Sequence, residues 1–250
     1  MSQSELPHRL SQIQTLWTVV CQARGDGPTQ VVNSAQAQLL ERYGKVIYRY
    51  FLGALRNHDA AEELSQEFAL RFVRGELGGA DPQRGRFRDF LKGLLSHLIG
   101  DYYRQHRKQP LPLPSAHEPA VSAEIPAGGD DAFLANWRDE LLNRAWNSLL
   151  QLEQQSGQPF HTVLQFRATH TDLRSEQMAG QLSDRLGRAV NAAWVRQTLH
   201  RAREKFAEAL VDEVLQTLDS PTVSELEQEL IDVGLMEYCR PVLTHMRNEA

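Results

Sequence analysis

Apolar residues recur along most of this chain at spacings of three and four, and runs that alternate apolar with polar are missing. The first spacing turns one stripe of a helix inward, and the absence of the second removes the ordinary mark of a half-buried strand. Val195, Leu199, Ala202, Phe206 and Leu210 make the clearest stripe, starting within "AAWVRQTLHRAREKF". No pair of hairpin turns appears, so the pattern predicts an all-α protein. It places helices near 7–24, 34–55, 59–74 and 86–108, and again near 132–155, 159–168, 175–186 and 192–218. A last acidic helical segment is expected over about 222–237. Asp59 reads as an N-cap, with Glu62 and Glu63 in the first turn where the helix dipole favours acid. Ser175 reads as a cap in the same way.

Between the two groups of helices the composition changes. Gln109 to Asp131 holds five prolines and no helical stripe, which predicts an extended tether. The expected organisation is therefore a helical domain over 1–108, a Pro-rich linker over 109–131, a second helical domain over 132–218 and an acidic extension over 219–250. No apolar run is long enough to span a bilayer, so no membrane insertion is expected. The opening "MSQSELPHRLSQ" lacks the basic-then-apolar plan of a signal peptide. With only Cys21 and Cys239, a disulfide framework is not expected either. A cytoplasmic chain is therefore expected.

The formal net charge of −5 hides an uneven distribution. Seven bases lie between Arg84 and Lys108 against Asp89 and Asp101, and six lie between Arg185 and Lys205 against Glu204 alone. From Glu208 to Asp232 there are eight acids and no Lys or Arg. Two basic blocks followed by an acidic tail predict two contacts with a polyanion, and a tail that either folds back on one of them or packs as a solvated cap. The cap would pack through Leu226, Leu230 and Leu235.

The second basic block belongs to a helix, a turn at Gly187 and a basic helix, in which Met178, Leu182 and Leu186 face inward. This is the helix-turn-helix plan, whose second helix enters the DNA major groove. Arg188, Asn191, Trp194, Arg196, Gln197, His200, Arg201 and Arg203 are then the candidates for bases and phosphates, since Arg and Gln can pair with guanine and adenine edges. Trp194, beside the apolar stripe, fits the core as well as a contact. The first block carries a stripe of Phe87, Phe90, Leu91, Leu94, Leu98 and Tyr102. Its other faces mix bases with aromatic side chains, which suits single-stranded nucleic acid because rings stack on bases while cations hold phosphates. In "DAAEELSQEFALRFVRG", Ala61, Leu64, Phe68 and Phe72 form the buried stripe, and Glu63, Glu67 and Arg71 line another face at ion-pair spacing. That face reads as an ion ladder or as a docking surface for a protein.

Catalysis finds little support. His161, His170 and His200 have no partners at metal-ligand spacing, and Cys239 with His245 supplies two ligands at most. No Gly-rich phosphate loop or nucleophile elbow occurs, so no enzyme, metal or cofactor is assigned.

Together these stretches resemble an RNA polymerase sigma factor of the sigma-70 class, extracytoplasmic-function (ECF) type. "DAAEELSQEF" is similar to that family's "DAEDLxQExF" pattern, and "LIGDYYRQHRK" to its "NxxxDxxRxxxR" ending. "LHRAREKF" is close to the end of the family's −35-reading helix. The resemblance covers about 16–108 and 146–213. It implies that Asp59, Glu62, Glu63, Gln66, Glu67 and Phe68 bind core RNA polymerase. It likewise assigns Arg86, Arg88, Lys92, His97, Asp101, Tyr103, Arg104, Arg107 and Lys108 to the melted −10 strand of promoter DNA, and the eight residues of the basic helix and its turn to the −35 duplex. An anti-sigma factor is an implied further partner. Two features depart from the family: eleven residues separate Gly187 from Leu199, longer than usual, and the tail beyond about Leu215 extends past the usual end. The rival reading is a stand-alone helix-turn-helix regulator, which binds duplex DNA without polymerase. A sequestering adaptor that acts through the acidic tail is a third.

Overall fold

In a computed structural model, the described residues are 29–76, 85–108, 129–219 and 221–249. The helix expected at 7–24 and most of the Pro-rich stretch lie outside them. The described residues form nine α-helices and no strand: α1 Thr29–Leu55, α2 His58–Val73, α3 Phe87–Lys108, α4 Gly129–Ser156, α5 Phe160–Thr169, α6 Ser175–Leu186, α7 Ala192–Leu215, α8 Val223–Asp232 and α9 Met236–Glu249. The all-α expectation holds. Two compact units emerge, one of residues 29–137 with 216–219, the other of 138–215 with 221–249.

In the first unit α1 packs against α2 and α3. Arg56 adopts a left-handed conformation at φ 51° and stops α1, and Asn57 then turns extended. The Asn57 side-chain oxygen accepts from the Ala60 amide at 3.0 Å, so Asn57 caps α2 and Asp59 falls in its first turn, two positions past the cap. At the other end of α2, Gln36 donates to the Val73 carbonyl at 2.9 Å and satisfies one of the helix's terminal acceptors.

The boundary between the units does not fall in the Pro-rich stretch. It falls inside α4, whose first turns carry Phe133 and Trp137 into the first unit. Trp137 stacks on Tyr43 with centroids 5.0 Å apart and planes 11° apart, and lies 6.2 Å from Phe87. Phe133 meets the edge of Tyr50 at 5.2 Å. Sequence spacing put this helix wholly with the second domain, because helical periodicity shows which side is apolar and not what covers it. The indole N–H of Trp137 has no acceptor among the described residues, a cost that the buried ring area must offset.

In the second unit α7 is the common partner of α5, α6, α8 and α9. The acidic segment expected as one helix is two. Gly234, left-handed at φ 72°, breaks it, and the Leu235 amide reaches back to the Leu230 carbonyl at 2.8 Å to close the end of α8. Thr222 and Glu225 cap its start reciprocally. Leu226, Leu230, Val233, Leu235, Cys239 and Leu243 are buried, so the tail packs as an apolar-faced pair of helices.

Trp137→Ala should cost about 3–5 kcal/mol, the usual range for emptying a buried aromatic site, and chemical denaturation followed by circular dichroism measures it. Cys239 offers a reporter for the tail, since its burial pushes the thiol pKa up to about 12 and suppresses the reactive thiolate. In a Cys21→Ser background at pH 8, Cys239 should stay unlabelled by a thiol reagent under native conditions and react fully once denatured. Rapid native labelling would mean that the tail is undocked.

Candidate nucleic-acid interface

The geometry of the α6–α7 pair begins with a small core. Val163 and Phe166 of α5, Met178, Ala179 and Leu182 of α6, and Val195 and Leu199 of α7 are buried against one another, with Trp194 and Leu186 at the edge. Arg174, extended at φ −78° and ψ 160°, occupies the N-cap position of α6, and Ser175 is its first helical residue rather than its cap. The Gln177 side chain reaches back to accept from the Arg174 amide at 2.9 Å. Gly187 ends α6 in the left-handed conformation at φ 64°.

Hydrogen bonds account for the shape of the turn that follows. The Ser183 hydroxyl donates to the Ala179 carbonyl at 2.7 Å and accepts from the Val190 amide at 3.0 Å, which ties the turn back to α6. Asn191 then caps α7, its side-chain oxygen accepting from the Trp194 amide at 2.8 Å. Two of the expected duplex contacts are therefore engaged structurally. The Asn191 carbonyl oxygen is committed to the cap, and Trp194 is half-buried against the core with the Arg188 guanidinium 5.1 Å from its ring centre.

The rest of the expected set shares an outward face. Arg196, Gln197, His200, Arg201 and Arg203 are exposed, because Val195, Thr198, Leu199 and Ala202 take the inward positions. His200 lies 3.5 Å from Glu204 and Arg196 lies 3.8 Å from Glu176, contacts too exposed to hold much energy. Arg201 and Arg203 have no carboxylate partner among the described residues. The acidic tail does not bury this face, so the fold-back alternative is not the arrangement seen.

Among the described residues of α3, fewer bases lie fully outward than the sequence suggests. Arg88 is only 8% exposed, beside Asp89, and does not belong to an outward phosphate-binding face. Asp101 pairs with Arg104 on α3 and lies 3.8 Å from Arg71 on α2. Tyr103 is half-buried and donates to the Ala54 carbonyl at 3.3 Å, which fixes its ring to α1. Arg86 and Lys92 are half-buried, and His97 and Arg104 are exposed. The side chains of Arg107 and Lys108 lie outside the described residues. Tyr102, expected in the buried stripe, is half-exposed, with its ring centre 3.9 Å from that of His106. Partial burial, then the Glu63 carboxylate, raises the Tyr102 pKa.

On α2, Asp59, Glu62, Glu63 and Gln66 are exposed and Glu67 is half-buried in an ion pair with Arg71 at 2.7 Å. Phe68 is 1% exposed and stacks on Phe72, which removes it from any docking surface. Leu70 and Val73, at 46% and 50% exposure, extend the outward strip instead. Their spacing from Gln66 on one helical face was the signal available in the sequence. Among the described residues no cluster of His, Cys, Asp and Glu could hold a metal, and no helix is long and apolar enough to cross a membrane.

A Cβ at residue 187 would meet no atom within 4 Å, so Gly187→Ala isolates the backbone cost of the left-handed turn. It should destabilise the second unit by about 1–2 kcal/mol without altering its core, as read from thermal unfolding.

Compared with known proteins, the chain matches no family profile, no curated protein and no solved structure.

Proposed function

We propose that this chain is a sigma factor of the ECF type, which binds core RNA polymerase and directs promoter-specific initiation. The observation that carries the reading is the α6–turn–α7 helix-turn-helix, whose second helix keeps its apolar residues inward and presents Arg196, Gln197, His200, Arg201 and Arg203 outward. Guanidinium groups on that face suit guanine edges and duplex phosphates at the −35 element. Two features of the other unit support the same reading. The outward strip of α2 combines Glu62, Glu63 and Gln66 with Leu70 and Val73, an acidic surface with apolar anchors of the kind that suits a protein partner. The α3 helix offers the Tyr102–His106 ring pair on one side and the exposed His97 and Arg104 on another, aromatic and polar groups of the kind that suit a melted −10 strand. The chain itself performs no covalent step in this mechanism; it positions polymerase and holds unpaired bases.

The corrected α2 surface sets the experiment. Gel filtration of the full chain with its cognate core RNA polymerase should show co-elution for the wild type. Glu62→Arg with Leu70→Ser, both at exposed positions, should abolish it while leaving helicity unchanged. A well-folded wild type that does not co-elute, yet binds a duplex site alone, would replace this reading with the stand-alone regulator.

A further inference from the structure

A cleft of about 540 Å³ opens between the α5–α6 loop, the start of α6 and the flank of α7. Its volume is within the range of about 300–1,000 Å³ typical of small-molecule sites. Four arginines line it: Arg167, Arg174, Arg196 and Arg203. Two carboxylates oppose them, Asp172 and Glu176. Asp172 accepts from the Thr171 hydroxyl at 2.8 Å, and Glu176 lies 3.8 Å from Arg196. Arg167 is held in place by donating to the Leu173 carbonyl at 2.6 Å, while Arg174 and Arg203 are exposed with no carboxylate partner among the described residues. The floor is apolar, formed by Met178 and Leu199.

We infer that this cleft binds a free, multiply phosphorylated anion of nucleotide size, and that its occupancy competes with DNA. Four arginines around one concave space suit several negative charges held close together, and bidentate pairing with phosphate oxygens is the strongest contact a guanidinium makes. The apolar floor suits a flat base or another unionised part of the same ligand. Arg196 and Arg203 also belong to the outward face of α7, so a phosphate that neutralises them weakens any duplex contact made there. The inference thus deepens, and rests on, the reading of α7 as a DNA-facing helix. Arg167 and Arg174 separate the two sites, because neither lies on α7.

The test uses the full-length protein at low salt. ATP and inorganic tripolyphosphate are titrated by calorimetry, and a labelled random-sequence duplex of non-specific affinity is followed by fluorescence anisotropy. ATP should bind the wild type and displace the duplex. Arg174→Glu should weaken ATP binding by about tenfold or more, as expected when a charge-assisted contact becomes a repulsion. Arg185→Glu, a charge-matched change at an exposed position of α6 outside the cleft, should change it by less than about twofold. Arg167→Gln with Arg174→Gln repeats the loss without introducing a negative charge, with circular dichroism checking the fold. If neither ATP nor tripolyphosphate binds the wild type, or if Arg185→Glu weakens binding as much as Arg174→Glu, the inference is overturned. If ATP does not bind while Arg174→Glu lowers duplex affinity and its salt slope, the cleft holds DNA backbone phosphate instead, and the DNA-facing reading survives. A wild type that binds neither ATP nor tripolyphosphate overturns the cleft inference alone, whatever the duplex result. A sigma factor need not hold duplex without core polymerase, and its own test is co-elution with that enzyme.

Discussion

The second unit depends on the division of α7 into an inward stripe and an outward face. Val195 and Leu199 enter the core shared with α5 and α6, Phe206 meets the Trp146 ring of α4 at 4.8 Å, and the buried run continues to Leu215. The tail helices α8 and α9 pack on the same helix. Burying so many apolar groups along one stripe fixes the rotation of α7 about its axis, since turning it would expose them at roughly 1.5–3 kcal/mol each. Arg196, His200, Arg201 and Arg203 face outward as a consequence. Their exposure follows from packing on the opposite side and requires no interaction of their own.

Charge density in the sequence translates unequally into surface in the two units. On α7 the bases remain exposed, because the inward positions are filled by aliphatic and small residues. On α3 the bases are placed among neighbours: Arg88 is buried beside Asp89, and Arg104 pairs with Asp101. Among the described bases, those of α3 and those of α7 are therefore presented differently. The same reasoning applies to the acidic tail, where Glu229 is 1% exposed and Leu226 and Leu230 face the core. The tail is a packing element of its unit first, and its acids are distributed around that role.

Turn chemistry decides where the helices begin. The sequence offers Asp59 and Ser175 as caps, whereas Asn57 and Arg174 occupy those positions. At α2 the choice follows from the left-handed residue before it, which brings Asn57 rather than Asp59 into the extended conformation. In the turn before α7, Ser183 and Asn191 take up the Val190 and Trp194 amides, and the helix starts at Ala192.

The helical class, the positions of α2 to α7 and the apolar stripe of α7 were legible in the sequence, because each rests on local periodicity. So was the outward set on α7, since residues that alternate with a strong stripe have only the solvent side left to occupy. Tertiary structure alone decided that Phe133 and Trp137 complete the first unit and that Arg88 is buried. It alone brought Arg167 and Arg174 to the same cleft as Arg196 and Arg203. Periodicity identifies which side of a helix avoids water, but the neighbour that covers that side, and the charges that meet across a loop, depend on contacts between residues far apart in the chain.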